Sequence, residues 1–274
     1  MATPRSALLN TLEDSNRNAA GQYEVSSVRK ALEILCSFTP ARPAWTLSDL
    51  SRSLGIPKST AHNLVRTLES FGCVRQNPDD RRYTLGPKIY ELGLVFSHTT
   101  DLLTKAMPFL RKLAAETEET VKLGVLSEAQ VLVVGAIESV HQLHTRGDVG
   151  GRWPLHSTSL GKAILACLDS GKVRELLGTG RLPPLTPRTI TRLDKLQTEL
   201  EQTRERGYAI DWEENEPGVH CVAAGLIDPG HQIVAAISVS GPAVRITEKV
   251  LPKHGTHVME AAARIAGTFG GRLP

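Results

Sequence analysis

The sequence predicts an α+β protein of two domains, the first mainly helical and the second a sheet covered by helices. Three observations support this prediction. The chain has 274 residues, 41% of them hydrophobic, which is enough for two modest domains with buried cores or for one large one. Between residues 25 and 85 the pattern is helix, helix, tight turn, helix and hairpin. From residue 120 onward, strand-like runs alternate with helical ones.

Residues 1–22 are polar and aperiodic, so they are predicted to form a disordered tail. They contain no apolar run of the length that a secretory signal needs. No other stretch approaches the roughly 18 apolar residues of a transmembrane helix, so no membrane association is expected. The four cysteines form no C-x-x-C pair, which argues against a disulfide framework or a zinc site and indicates a reducing cytoplasm. The net charge of +3 permits nucleic-acid binding without requiring it.

The first helix is predicted where apolar residues recur at steps of three or four, at Val25, Val28, Leu32, Leu35 and Phe38. Pro40 and Pro43 end it. A capping box follows, with Thr46 as the N-cap and Asp49 reaching back to it. A short second helix, with its leucines on one side, is then predicted to stop at Gly55.

A third helix is predicted to begin with Pro57 at its first position and to end at Gly72. Its buried side is expected to consist of Ala61, Leu64, Val65, Leu68 and Phe71. Two short strands, Cys73–Gln76 and Arg82–Leu85, flank the turn-rich segment Asn77-Pro78-Asp79-Asp80. This order of elements is that of a winged helix-turn-helix, which we assign to residues 23–86.

Residues 87–118 are predicted to form a helical linker, broken near His98–Thr100, and residues 119–274 form the second domain. The linker stripe consists of Leu103, Ala106, Leu110 and Leu113. The predicted strands of the second domain are Val121–Leu126, Val131–Ile137, Tyr208–Asp211, Cys221–Ile227 and Ile233–Val239. Its predicted helices are Leu160–Leu168, Leu193–Arg206 and Val250–Phe269.

The third helix is the candidate DNA-recognition element, because the second helix of a helix-turn-helix lies in the major groove. Lysine and asparagine pair with guanine and adenine edges, and serine or threonine with either. The helix N-terminus and an arginine-bearing wing suit phosphates. The predicted contacts to double-stranded DNA are Thr46, Lys58, Ser59, Thr60, His62, Asn63, Arg66, Arg75, Arg81 and Arg82. The plain alternative is a small helical domain with a solvated polar face.

Three stretches carry a family resemblance. They are TLSDLSRSLGIPKSTAHNLVRTLESFG at Thr46–Gly72, PLHSTSLGKAILA at Pro154–Ala166, and GYAIDWEENEPGVHCVAA at Gly207–Ala224 followed by ISVSG at Ile237–Gly241. In content and order they resemble the IclR family of bacterial transcription regulators. The resemblance implies a GAF-like α/β effector-binding domain in the C-terminal half. It also implies homodimers, often paired into tetramers, on a palindromic operator, and a repressor or activator rather than an enzyme, without a cofactor.

The second and third stretches also suit a small organic acid. Ser157–Ser159 precede an apolar helix face, where open N–H groups and the helix dipole favour a carboxylate. Ser238 and Ser240 are two apart on a strand, so their hydroxyls point the same way. The simpler interpretation of Ser157–Ser159 is that they cap the helix, and the simpler interpretation of Cys221 is that it is a buried structural thiol. By resemblance, the effector-binding positions are Ser159, Leu160, Asp211, Val219, Cys221, Ser238 and Ser240, whereas Trp212 and His220 depart from the family pattern.

The same residue types are also found in enzymes, metal sites and redox sensors. Cys221 with His220, His156 and Asp211 contains the residue types of a thiol-dependent hydrolase, although adjacent strand residues face opposite sides and separate His220 from Cys221. The pairs His141/His144 and His254/His257 have helical spacing but no third metal ligand nearby. A redox sensor would rest on Cys73, which has no resolving cysteine in sequence. We therefore expect neither catalysis nor a metal site.

Overall fold

The structure is a computed structural model, and it describes residues 24–39, 41–100, 102–227, 234–271 and 273, with the backbone alone for residues 96–100. The predicted tail at 1–22 lies outside the described residues. The chain divides into two compact units, Met1–Thr99 and Thr100–Pro274. In the described part of the chain, no helix is both long and apolar enough to cross a membrane.

The first unit is a winged helix-turn-helix, as predicted. Its elements are α1 (Ser26–Cys36), β1 (Ala44–Trp45), α2 (Leu47–Ser53), α3 (Lys58–Ser70), β2 (Val74–Gln76), β3 (Tyr83–Leu85) and α4 (Pro87–Thr100). The three strands form an antiparallel sheet in the order β1-β3-β2. The sequence pattern did not predict β1, which is only two residues long.

The core of the first unit is formed by residues from α1, α2, α3 and the three strands. Its buried members are Ile34, Trp45, Leu50, Val65, Val74 and Tyr83. The apolar residues at the start of α1, Val25 and Val28, are exposed, and the helix buries Ile34. One prediction about this core is wrong. Phe71 is 70% exposed, because α3 ends at Ser70 and Phe71 already belongs to its C-cap, where the chain turns away from the core.

The second unit holds the remaining elements. They are α5 (Leu102–Thr117), β4 (Thr120–Ser127), β5 (Gln130–Ile137), β6 (Arg152–Pro154), α6 (Ser159–Ala166), α7 (Ser170–Leu177), α8 (Leu193–Arg206), β7 (Ala209–Trp212), β8 (Val219–Ile227), β9 (Val234–Pro242) and α9 (Leu251–Gly267). The six strands form one antiparallel sheet in the order β6-β5-β4-β9-β8-β7. β6 and α7 were not predicted, since each is short and has no clear apolar period.

Both faces of this sheet are covered. On one face, α5 and α9 pack against residues such as Val121, Val222 and Ile237. On the other face, α6 and α8 pack against small residues such as Ala223 and Ala236. Because side chains alternate along a strand, the second face also receives several polar residues, namely Thr120, Lys122, Asp211, Cys221, Ser238 and Ser240.

Candidate DNA-binding and ligand-binding sites

The turn before α3 is fixed by local hydrogen bonds. Thr46 is the N-cap of α2, and its hydroxyl accepts from the Asp49 backbone N–H at 3.1 Å, as the predicted capping box requires. The reciprocal half of that box is absent, because the Asp49 carboxylate instead pairs with Arg52 and Arg42. Pro57 was predicted to occupy the first position of α3. It is instead the N-cap, and the helix begins one residue later, at Lys58.

α3 presents one polar row to solvent. Ser59, His62, Asn63 and Arg66 recur at the three-and-four spacing of a single helix face, and all four are exposed. The opposite side carries Ala61 and Val65, which are buried. Lys58 is exposed and Thr60 and Thr46 are half-buried. The fold therefore leaves the early polar residues of this helix accessible to a large partner.

The hairpin between β2 and β3 lies beside α3. The carboxylate of Glu69 accepts from the Gln76 backbone N–H at 3.2 Å, which ties the helix to the wing. At the tip, the Asn77 side chain accepts from the Asp79 N–H at 2.9 Å, and Arg81 adopts a positive φ of 58°. The three predicted wing contacts are all exposed: Arg75, Arg81 and Arg82.

In the second unit, the strand registers bring the predicted effector residues together. Thr120, Ser240, Cys221 and Asp211 are consecutive partners across β4, β9, β8 and β7. Ser238 and Val219 are each two residues from this row and so share its face. Ser159 and Leu160 begin α6, which packs on the same face. We call Ser159, Leu160, Asp211, Val219, Cys221, Ser238 and Ser240 the α6 cluster.

The start of α6 leaves donors open. Thr158 is its N-cap, and its hydroxyl accepts from the Gly161 N–H at 3.0 Å, so capping belongs to Thr158. The N–H groups of Ser159 and Leu160 have no acceptor among the described residues. Unpaired N–H groups at a helix start favour an anion or a carbonyl oxygen. Both residues are almost fully covered, with 2% and 5% of their surface exposed.

Asp211 is held at the end of the row by the loop that follows β7. Its carboxyl accepts from the N–H groups of Glu214 at 2.8 Å and Asn215 at 3.3 Å. The Asn215 side chain in turn accepts from the Ser157 hydroxyl at 3.1 Å, just before α6. Burial raises the pKa of Asp211 to about 7, so this carboxyl is partly protonated near neutral pH.

The other polar members of the cluster are also buried. The Ser238 hydroxyl is fully covered and has no hydrogen-bond partner in the described structure. Burial raises the pKa of the Cys221 thiol to about 12, so the thiol stays protonated. Val219 is half-buried at the start of β8. Since unsatisfied buried hydroxyls are rare in folded proteins, Ser238 is a natural contact for a ligand.

Three buried residues on this side of the sheet, Lys122, Lys162 and Glu214, were not predicted from the sequence. Lys162 is 1% exposed and forms ion pairs with Glu214 and, at 3.6 Å, with Glu199. Burial raises the pKa of Glu214, against the opposing effect of Lys162. Lys122 lies on β4 beside Ser238. The sequence does contain a signal for two of these residues, because Lys122 and Lys162 are charged residues inside otherwise apolar segments.

The alternative sites do not assemble. His220 lies on the opposite face, stacked on Trp212 with ring centroids 3.6 Å apart, and its Nδ1 contacts the Ile246 carbonyl oxygen at 2.7 Å. The Nε2 atom of His156 contacts the Pro183 carbonyl oxygen, away from Cys221. Among the residues that the structure describes, no three histidine, cysteine or acidic side chains are grouped to hold a metal ion. Cys73 is half-buried and reduced.

Comparisons with known proteins agree with this architecture. The domain family "Bacterial transcriptional regulator IclR C-terminal" matches residues 95–267, and "IclR helix-turn-helix domain" matches residues 27–78. The transcriptional repressor IclR of Escherichia coli is 33% identical over 255 residues, covering 92% of both chains.

Solved structures agree as well. An IclR transcriptional regulator from Silicibacter sp. is similar with a TM-score of 0.81 and 27% identity, over 91% of this chain and 98% of that one. An IclR homologue from Microbacterium hydrocarbonoxydans, crystallised with 4-hydroxybenzoate, is similar with a TM-score of 0.79 and 26% identity. That match covers 89% of this chain and 99% of the homologue.

Proposed function

Since the chain belongs to the IclR family of bacterial transcription regulators, which join a helix-turn-helix domain to an effector-binding domain, we propose how its residues divide this work. α3 and the hairpin bind a palindromic operator, and a small organic acid in the α6 cluster modulates that binding. The observation that carries the DNA-binding part is the exposed row Ser59, His62, Asn63 and Arg66, whose opposite side is fixed in the core.

On the operator, the two parts of the first unit have different tasks. Asn63 suits adenine and Arg66 suits guanine or phosphate, so this row reads bases in the major groove. Arg81 and Arg82 at the hairpin tip neutralise backbone phosphates, which positions the domain without reading sequence. The Glu69–Gln76 bond supports this division because it holds the wing at a fixed place beside α3.

The test is a fluorescence-anisotropy titration of the protein with the DNA upstream of its own gene, against scrambled DNA of equal length. We expect Asn63→Ala and Arg66→Ala to weaken specific binding by about 5- to 150-fold each, the equivalent of one base contact. Lys172→Ala, an exposed lysine of the second unit, is the matched control. Wild-type affinity in both variants would move the recognition surface elsewhere.

The effector part rests on donors that converge on one place. The open N–H groups of α6, the unpartnered hydroxyl of Ser238 and the hydroxyl of Ser240 all border the row that ends at Asp211. The relative crystallised with 4-hydroxybenzoate supports an acid of this size. Because most of the cluster is covered, a ligand can enter only when some of the covering side chains move.

The effector test is isothermal titration calorimetry with a panel of small aliphatic and aromatic acids, 4-hydroxybenzoate included. We expect at least one acid to bind, and Ser238→Ala and Ser240→Ala to weaken it, because each removes a buried donor. Ser170→Ala, an exposed serine on α7, is the control. If no acid binds, or if both variants bind as the wild type does, the α6 cluster is not the effector site.

We further propose that the working unit is a homodimer or a dimer of dimers in the cytoplasm, where the operator is. Exposed apolar residues on α1 and α4 support a partner surface: Val25, Val28, Leu32, Tyr90 and Leu92. Ligand binding would bias two arrangements of the dimer and so alter the spacing of its two α3 helices. Analytical ultracentrifugation with and without operator tests the assembly, and a monomer that binds a full palindrome would contradict it.

A thiol-dependent hydrolase is the competing function. It would need a thiolate at Cys221, but a thiol with a pKa of about 12 supplies almost none at neutral pH. The curated relatives carry regulator names. A screen of esters and thioesters should find no turnover that iodoacetamide abolishes, and such a turnover would revive the hydrolase.

A further inference from the structure

Lys122 and Lys162 are both buried on the α6 side of the sheet, yet among the described residues only Lys162 has counter-ions. Lys162 is paired with Glu214 and Glu199. Lys122 is 8% exposed, and no carboxylate lies within 4 Å of its ammonium group in the described part of the chain. Its described partner is the face of the Trp153 indole, whose centroid is 5.3 Å from Nζ. A lysine that is covered to this extent with no anion beside its ammonium group is unusual, so its placement calls for a reason.

The position of Lys122 is fixed by the sheet. β4 is paired on both sides, with Lys122 opposite Ser238 of β9 and Ala136 of β5. Its neighbours Val121 and Leu123 point to the other face and are fully buried. The backbone at residue 122 therefore cannot turn the side chain to solvent without breaking the core.

The neighbourhood of Lys122 reaches the start of α6. Gly124, two residues along β4, shares its face, and Leu160 packs there because the glycine has no side chain: a Cβ would lie 3.3 Å from Leu160 Cδ1. Ser238, beside Lys122, has the buried hydroxyl that lacks a partner. A cation without an anion, a hydroxyl without a partner and the open N–H groups of α6 thus border one place.

We propose that Lys122 is the specificity-determining residue of the effector site, and that it selects ligands bearing a carboxylate, with the Trp153 ring beside it as an apolar wall. This inference rests on the proposed effector site and adds to it the residue that pairs with the carboxylate of the acid. On binding, the carboxylate replaces the indole face as the partner of the ammonium group, and Ser238 donates its hydroxyl to the same ligand.

The experiment is calorimetry on the full-length protein with matched pairs of carboxylic acid and primary amide, 4-hydroxybenzoate and 4-hydroxybenzamide among them. We expect the wild type to bind at least one acid more tightly than its amide by about 10-fold or more, as a charge-assisted hydrogen bond implies. Lys122→Met should lose that preference by weakening the acid alone. Lys122→Arg should retain most of it, and Lys172→Met should have no effect.

The outcomes separate this inference from the proposed function. Equal binding of an acid by Lys122→Met and the wild type, with both variants folded by circular dichroism, would overturn the role of Lys122. If the wild type bound the amides more tightly than the acids, the proposed preference for a carboxylate would be wrong, but the effector site itself would stand. A wild-type protein that binds neither member of any pair would overturn both. Loss of both acid and amide binding in Lys122→Met would make Lys122 a structural support, and would also overturn the inference.

Discussion

The buried ion pair between Lys162 and Glu214 offers the sharpest test of how the second unit is held together. In Lys162→Met a side chain that is 1% exposed keeps its apolar bulk and loses its charge. Glu199 keeps Arg206 as a partner at 3.3 Å, but Glu214, with its side chain 9% exposed, is left as an uncompensated carboxylate. Removing one partner of such a pair costs about 3–5 kcal/mol of unfolding free energy, and the partial rescue of Glu199 favours the lower end.

For a unit of this size, about 3 kcal/mol corresponds to a fall of roughly 6–12 °C in the unfolding midpoint. Differential scanning calorimetry at pH 8 measures it directly. Burial raises the pKa of Glu214 above its unfolded value, and removing Lys162 raises this pKa further. A group with a raised folded pKa stabilises below its unfolded pKa and loses that stability as pH rises through the folded one. The defect should therefore be smaller at pH 5 than at pH 8.

A second variant separates charge from packing. Lys162→Met combined with Glu214→Gln removes the orphaned charge, so it should recover most of the lost midpoint and should show little dependence on pH. Lys172→Met, which breaks only an exposed pair with Glu175, should stay close to the wild type. A Lys162→Met midpoint within about 2 °C of the wild type at pH 8, or a double variant no better than the single one, would refute this account.

Three further outcomes are expected. Because the pKa of Asp211 is about 7, affinity for an anionic ligand should fall by about tenfold between pH 6 and pH 8 as the carboxyl ionises, and Asp211→Asn should abolish that dependence in calorimetry. Arg81→Ala should weaken binding to all DNA sequences alike and lower the slope of log K against log salt by about 1, measured by anisotropy. Thr158→Ala removes the cap of α6 and should cost about 1 kcal/mol by urea unfolding, whereas Thr198→Ala, on the exposed side of α8, should cost much less.

Each of these outcomes has a clear opposite. An affinity in the wild type that does not change with pH would remove Asp211 from ligand recognition. Loss of binding to one DNA sequence only would make Arg81 a base contact. Equal stability in the two threonine variants would mean that the α6 cap contributes nothing.

Much of the fold could be predicted because its determinants are local. Gly55 and Gly72, both with positive φ, end α2 and α3 as expected. The bounds of α8, Leu193–Arg206, agree with its leucine period and with Gly207 in the left-handed region. Five strands of the second unit were found within a few residues of their ends, since buried antiparallel strands give strong apolar runs.

The remaining features depend on tertiary context. The apolar stripe that starts at Val25 predicts a helix but not which of its residues meet the core, and only the later residues Ile34, Leu35 and Phe38 do so. β6 is three residues long and ends in a proline, so its sequence alone does not predict a strand. It is a strand because it pairs with the edge of β5. Nothing in the sequence places Lys122 beside Ser238, because that neighbourhood arises from the pairing of β4 with β9. The residue contacts to DNA and effector remain predictions.

The row Thr120–Ser240–Cys221–Asp211 draws on the beginning and the end of the second unit, since β4 and β9 are far apart in sequence yet adjacent in the sheet. A fragment that lacks either strand cannot contain the row, so an acid that binds there as proposed would recognise only chains whose folding is complete. Such selective recognition stabilises the native form by mass action, by about 2.7 kcal/mol at a hundredfold excess over Kd. In a cell, the same metabolite that sets operator occupancy would thus also lengthen the lifetime of the regulator against proteolysis.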